Sequence, residues 1–303
     1  SFPTRRSSDL KKNCSPQLFD KYFEKHRFKL GWHPKPELDE FGVSVAEDVI
    51  RNEKPDLAMI HVSAVDIARH GNGMFGPAID DAIRKVDSWL CRLEQAVSES
   101  GRFDETNFII VSDHGHLKVD KQVNLNVLFK EEGLIQTDDH GELVSYQAYC
   151  HSSGLSAQIL LADAADTEVR KKVEAILEYA KDTEAFGIKA IYTRREAEEK
   201  FQLSGPFEYV VEGVGGVAFA AKWDGRVVIN EEDPDYDYVK TSHGHRPHLG
   251  PQPVLLAKGP DFKENVTIRE CSILDEVPTF AAVLGVEMEG LEGRCLHELL
   301  VRP

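Results

Sequence analysis

The feature that most constrains the fold is a long amphipathic helix between two short apolar segments. The segments are LAMIHVS at 57–63 and NFIIVS at 107–112, and each has the length and composition of a buried strand. Between them, at about 78–100, apolar residues recur at alternating steps of four and three, which is one face of a helix. A strand–helix–strand crossover is right-handed and joins parallel strands. The sequence therefore predicts an α/β fold with a parallel sheet.

The pattern of the sequence changes in the middle of the chain. Strand-like segments follow one another between 137 and 240, with one helix near 166–181, which is typical of a small α+β unit. These segments are 156–162, 188–193, 215–223 and 226–230. An apolar segment at 253–259 and a helix near 274–284 then return to the earlier pattern. We expect a core of 11–136 and 241–303 with a cap or insertion at 137–240.

Composition excludes several classes of protein. The chain has 303 residues, of which 41% are hydrophobic, and a formal net charge of −16, which argues against binding to a nucleic-acid polymer or an anionic membrane. No apolar segment approaches the roughly 20 residues of a membrane span. The five cysteines are far apart and form no CxxC pair, so reduced structural thiols and a cytoplasmic location are expected. They are Cys14, Cys91, Cys150, Cys271 and Cys295.

The first ten residues, SFPTRRSSDL, have no hydrophobic periodicity and do not begin with Met. They resemble the translation of a sequencing-adapter oligonucleotide joined in frame to a metagenomic read. We therefore expect residues 1–10 to be an artefact rather than part of the natural protein. The alternative is an ordinary N-terminal tail. On the first interpretation, the missing signal peptide says nothing about export.

Three clusters of possible metal ligands flank the predicted strands. Asp66 and His70 follow the first strand, Asp113 and His114 follow the second, and His243 precedes the strand near 253. Open α/β sheets bind ligands beyond the carboxyl ends of their strands, so the clusters are expected to converge. Aspartate and neutral histidine suit zinc, whereas carboxylate-rich variants suit manganese or iron. Taken singly, each cluster is weak. Asp66 and His70 are more often a helix-surface pair, Asp113 and His114 equally suit a turn, and histidines spaced as at 243 are more often part of a loop.

The order of these motifs resembles the type I phosphodiesterase/nucleotide pyrophosphatase family of the alkaline phosphatase superfamily. The flanking sequences PDLAMIHVSAVDIARHGNGMFGP, TNFIIVSDHGH and HGHRPHLGPQPVLLAKGPDFK are similar too, and the resemblance covers essentially all of 44–290. It implies an alkaline-phosphatase-like α/β fold, with a mostly parallel sheet flanked by helices. It also implies a two-metal hydrolase, in which one ion activates the attacking oxygen and the other stabilises the leaving oxygen.

The resemblance assigns metal ligands residue by residue. One ion would be held by Asp66, His70 and His243. The other would be held by Asp113 and His114, together with an aspartate from the first strand of the fold. Two divalent ions are expected, with zinc first and manganese or iron as alternatives. His245 would contact the substrate phosphate or be a plain loop residue, and His116 and His248 are predicted to be bystanders.

The sequence departs from the family pattern near its start. Residues 11–56 contain no strand that ends in aspartate and is followed by a helix beginning with Thr or Ser, the pattern that carries the nucleophile. We expect the first strand and the nucleophile helix to be missing, and this fragment to be inactive. The predicted function is metal-dependent hydrolysis of phosphodiester or pyrophosphate bonds in small substrates such as nucleotides. A phosphomonoesterase, a phosphonate hydrolase, a pseudoenzyme and an inert metal-binding fragment are the alternatives.

Overall fold

A computed structural model describes residues 11–29 and 37–302, so the segment 1–10 lies outside the described residues. The main helices, in chain order, are α1 (Glu37–Glu53), α2 (Ala64–Asn72), α3 (Pro77–Ser100), α4 (Leu125–Glu131), α5 (Thr167–Asp182), α6 (Arg194–Phe201) and α7 (Glu276–Leu284). Shorter helical turns lie at Pro16–Leu18, Phe19–Phe23, Glu24–His26, Arg27–Lys29, Phe103–Glu105, Glu184–Phe186, Pro247–Leu249, Ile273–Asp275 and His297–Leu299. No helix in the described part of the chain is long and apolar enough to cross a bilayer.

The strands are shorter than the helices and lie mostly in the second half of the chain. They are β1 (Phe108–Val111), β2 (Leu117–Lys118), β3 (Lys121–Val123), β4 (Ile135–Thr137), β5 (Leu143–Tyr146), β6 (Ala148–Ser152), β7 (Ser156–Leu161), β8 (Ile188–Thr193), β9 (Tyr209–Gly213), β10 (Val217–Phe219), β11 (Val228–Asn230), β12 (Thr241–Ser242) and β13 (Leu255–Lys258). The chain divides into two compact units. Unit one comprises the described residues of 1–67, 80–113 and 253–303, and unit two comprises 68–79 and 114–252.

Helix α3 has the position that the sequence predicts. Pro77 suits the first turn because that turn leaves backbone N–H groups without helical acceptors. Gly101 follows the last helical residue with a φ of +79°, a left-handed conformation that glycine adopts at little cost. In unit one the inner face of α3 packs Ala96 and Val97 against Ile50 of α1. The three residues form a small apolar cluster that joins the two helices.

The predicted strand at 57–63 is wrong. This segment has no strand structure, and Met59 is 87% exposed. Strand β1 pairs with β13 alone among the described strands, and the pair is antiparallel, with Phe108 opposite Lys258. The parallel strand–helix–strand unit is therefore not formed, because an apolar segment becomes a strand only where another strand satisfies its backbone. The segment is instead held at its end by Asp39, whose carboxylate accepts the backbone N–H of Ser63 at 2.9 Å.

Unit two is built on a four-stranded antiparallel sheet in the order β6–β7–β9–β8. Its largest apolar cluster contains Phe129, Ile159, Val173 and Phe219, all fully buried, and combines side chains of this sheet with those of α4 and α5. A second sheet has the order β10–β3–β11, in which only β3 and β10 run parallel. The segments 114–136 and 241–252, which are predicted to belong to the core, cluster with this unit. The predicted cap at 137–240 stays a prediction.

Two turns of unit two cross closely beside His243. The backbone N–H of Leu155 donates to the His243 carbonyl at 2.8 Å, and the Ser156 hydroxyl donates to the Gly244 carbonyl at 2.7 Å. Gly244 has a φ of +88°, and a Cβ atom at this position would overlap the carbonyl oxygen of Ser153. A side chain at Gly244 would therefore force apart the two turns that fix the His243 backbone.

We expect Gly244→Ala to lower the free energy of unfolding by about 2–4 kcal/mol, since it adds a steric overlap to the conformational strain. The matched control is Gly225→Ala, because Gly225 also has a φ of +88° but is surrounded by open space. The control should cost only about 1 kcal/mol, the strain of the left-handed backbone. Urea unfolding of both variants measures the difference. Equal losses would show that the crossing tolerates a side chain.

A network of polar side chains in unit one joins α1 to α3. The Glu40 carboxylate accepts hydrogen bonds from the Trp89 indole at 2.7 Å and from the Arg92 guanidinium at 2.9 and 3.0 Å. Lys29 also lies 3.3 Å from it. Burial by itself would raise the pKa of Glu40, but the bonds from Trp89 and Arg92 outweigh it and lower the pKa from its ordinary 4.5 to about 2. The ionised carboxylate therefore stabilises the folded state.

The sign of this shift predicts how stability depends on pH. Because the pKa of Glu40 is lower in the folded state, its contribution is present above pH 4.5 and is lost as pH falls towards 2. Glu40→Gln should cost about 1–3 kcal/mol near neutral pH, and the difference from wild type should shrink between pH 4.5 and 2. Glu105→Gln, at a carboxylate with 73% exposure, is the control and should change little. A wild-type advantage over Glu40→Gln that is independent of pH would contradict the assignment.

Candidate metal centre

A short antiparallel pairing in unit two sets the positions of several histidines. Strand β12 pairs with β2, with Thr241 opposite Lys118 and Ser242 opposite Leu117. The pairing lies directly after His116 and directly before His243, so it places these two segments side by side. Helix α2 joins them through the backbone N–H of Lys240, which donates to the His70 carbonyl at 2.8 Å.

Four imidazole rings meet at this point, and we call them the histidine cluster: His70, His114, His116 and His243. The rings of His114 and His243 are stacked with centroids 3.8 Å apart. His70 lies 5.2 Å from His243 and 4.9 Å from His116, and the His116 ring lies 5.4 Å from His114 and 5.5 Å from His243. Imidazole nitrogens are common metal ligands, so rings this close together can share a cation.

Thr241 orients two of the four rings. Its backbone carbonyl lies 2.6 Å from Nδ1 of His70, and its hydroxyl oxygen lies 3.0 Å from Nδ1 of His116. The carbonyl can only accept, so Nδ1 of His70 carries the proton in this contact. A metal-binding histidine typically has its other ring nitrogen held in this way, which fixes the tautomer and the ring orientation.

Two sets of side chains have ligand atoms that all lie within 4.8 Å of one another. One set contains His70 and His243, and the other contains His114 and His116. Asp66 precedes His70 by one turn of the continuous helix α2, so the helix itself sets their spacing. Two imidazoles per set, one of them held by Thr241, together with a carboxylate one helical turn before His70, are a donor combination that fits zinc.

The remaining predicted site residues differ in their surroundings. Asp113 is exposed and belongs to neither set within the described residues. His245 is partly buried, and its Nδ1 is enclosed without a hydrogen-bond partner among the described residues. Burial lowers the pKa of His245, and the charged forms of His116 and His114 lower it further. His248, predicted as a bystander, is exposed.

Two residues that the sequence does not single out, His116 and Thr241, lie at the histidine cluster. His116 is predicted to be a bystander, yet it is 2% exposed and its ring belongs to the cluster. The spacing of two residues between His114 and His116 could have indicated a common face, because alternate residues of an extended segment point the same way. Thr241 carries no comparable local signal.

The chain is similar to one family of known proteins along most of its length. The family described as Type I phosphodiesterase / nucleotide pyrophosphatase matches residues 2–246. An ectonucleotide pyrophosphatase/phosphodiesterase of Caenorhabditis elegans is 22% identical over 241 residues, which is 78% of this chain and 27% of the relative. The chain thus spans about a quarter of the length of the curated relatives that it matches.

Solved structures similar to this chain share its fold. Human ectonucleotide pyrophosphatase/phosphodiesterase 5 superposes with a TM-score of 0.66 and 19% identity, covering 87% of this chain and 64% of that one. An inactive form of the murine protein in complex with AMP gives a TM-score of 0.63 and 18% identity, with coverage of 89% and 66%. The α/β, alkaline-phosphatase-like fold class is therefore confirmed. Because the family match spans most of the sequence, the chain belongs to the type I phosphodiesterase/nucleotide pyrophosphatase family.

Proposed function

We propose that the chain takes part in metal-dependent hydrolysis of phosphodiester or pyrophosphate bonds in small substrates such as nucleotides. The observation that carries the proposal is the histidine cluster, with Asp66 one helical turn from His70. A structural role for four imidazoles so close together is unusual, because each is a polar group that must be satisfied when partly buried. Membership of the type I phosphodiesterase/nucleotide pyrophosphatase family indicates that the cluster would serve the hydrolysis of such bonds.

Two metal positions are proposed, with the ligands that the family resemblance implies. Asp66, His70 and His243 would hold one ion, and Asp113 and His114 would contribute to the other. Bound divalent ions would activate the attacking oxygen and stabilise the leaving oxygen at phosphorus. The protein residues hold imidazole and carboxylate groups in place, and the Thr241 carbonyl fixes the proton-bearing nitrogen of His70. Zinc is proposed first, because imidazole nitrogen dominates the donor set.

A small anionic substrate is proposed rather than a polymer. The net charge of −16 repels an extended polyanion, whereas bound cations can attract a single phosphate group locally. The AMP complex of the murine relative supports a nucleotide as this substrate. Two further expectations remain proposals: the segment 137–240 as a cap, and a cytoplasmic location, which the five free cysteines support.

We expect AMP to bind the chain only when zinc or manganese is present. AMP binding tests the site without turnover, because residues 11–56 lack the strand–helix pattern that carries the family's nucleophile. His243→Ala should weaken zinc binding by more than about 10-fold and abolish detectable AMP binding, since metal affinity depends steeply on its supporting residues. The control His140→Ala removes an exposed histidine in a turn and should change neither. Calorimetric titration with zinc and then with AMP, with and without a chelator, measures both steps.

The outcomes separate the candidate functions. Zinc binding without AMP binding would leave a metal-binding protein and reject the nucleotide proposal. AMP binding that persists in the chelator would reject metal dependence. No turnover of a nitrophenyl ester of a nucleotide is expected, because the nucleophile helix is expected to be missing. Multiple turnover of this ester would show that the chain carries a nucleophile of its own.

A further inference from the structure

His116 is predicted to be a bystander, yet its ring belongs to the histidine cluster. We propose that His116 is a metal ligand of the candidate centre, acting together with His114. The inference rests on the proposed metal site but adds a residue that the family resemblance does not assign. It predicts a metal shell richer in nitrogen than the shell expected from Asp113 and His114.

The position of His116 relative to the other rings is the first argument. Its centroid lies 4.9 Å from His70 and 5.4 Å from His114, and the distance between the assigned ligands His70 and His243 is 5.2 Å. Its ligand atom also lies within 4.8 Å of that of His114. By distance alone, His116 is as much a part of the centre as the residues assigned from the family.

The way in which His116 is held is the second argument. The side chain is 2% exposed, and the Thr241 hydroxyl, which is fully buried, lies 3.0 Å from Nδ1. The same residue holds His70 through its carbonyl. Thr241 thus supports both rings from behind, in the manner of the residues that fix the orientation of metal-binding histidines. We assign Nε2 of His116 to the ion, because Nδ1 faces Thr241.

The ligand atoms of the centre indicate which ions would bind more tightly if His116 were a ligand. Imidazole nitrogen suits zinc and cobalt, whereas manganese and magnesium prefer carboxylate and water oxygen. A second imidazole beside His114 would therefore shift the preference of the centre towards zinc. Removal of His116 should weaken zinc binding more than manganese binding.

Two substitutions at His116 separate a ligand from a packing residue. His116→Asn keeps an amide near the position of Nδ1, so it can retain the contact with Thr241 while removing Nε2. His116→Gln reaches towards the position of Nε2 instead. The matched control is His140→Asn, the same change at an exposed turn. Zinc and manganese affinities are measured by competition with a chromophoric chelator, and Co²⁺ bound in place of zinc reports the ligand shell through its visible absorption.

For a ligand, His116→Asn should lower zinc affinity by at least about 10-fold and change the Co²⁺ spectrum, whereas His140→Asn should behave as wild type. The zinc affinity of His116→Gln should lie between those of His116→Asn and His140→Asn. Wild-type zinc affinity and an unchanged Co²⁺ spectrum in His116→Asn would overturn the proposal while leaving the metal centre itself in place. Failure of the wild-type chain to bind any of these ions would instead overturn the metal centre and this ligand together.

A second residue keeps the proposal testable if His116→Asn does not fold, as judged by circular dichroism. Thr241→Val removes the hydroxyl that holds His116 but keeps the carbonyl that holds His70. It should lower zinc affinity several-fold, and Thr241→Ser should restore it. Equal zinc affinity in the valine and serine variants would overturn the proposed support of His116.

Discussion

The histidine cluster depends on one short backbone pairing, that of β12 with β2. Only two residues on each strand take part, yet the pairing joins segments more than a hundred positions apart and brings His116 next to His243. The N–H of Val119 extends it by donating to the Lys240 carbonyl at 2.9 Å, and Lys240 in turn donates to the carbonyl of His70. Three separate parts of the chain are thereby fixed by backbone hydrogen bonds, which leaves the side chains to form the centre.

Much of the fold follows from sequence periodicity where an element buries one face. Helix α3 and strand β8 lie within a residue of their predicted bounds, because an apolar stripe or a short apolar segment is a local signal. The sequence of 119–135 has the periodicity of a short amphipathic helix, but the segment forms β3, α4 and β4. Periodicity cannot show that Gln122 pairs with β10 or that Ile135 pairs with β5. Helix α6 was missed because Ala197 is its only buried residue, although the capping box of Thr193 and Glu196 marks its start.

The candidate site was only partly visible in the sequence for a related reason. Motif order indicated His70, His114 and His243 by resemblance to a family. The contacts that orient the rings are long-range: 171 positions separate His70 from Thr241, and 125 separate His116 from Thr241. No local pattern can indicate such a partner. The strand predicted at 57–63 is wrong for the same reason, because the burial of this segment depends on a neighbouring strand and not on its own apolar composition.

The two contacts of Thr241 have different consequences for how the sequence can vary. A backbone carbonyl is present at every residue, so the contact with His70 constrains the chain path but not the identity of position 241. The contact with His116 needs a hydroxyl, which only serine or threonine can offer at that distance from the backbone. Positions 116 and 241 are therefore expected to change together in related sequences. Where 116 is apolar, an aliphatic residue at 241 would fill the same space without loss.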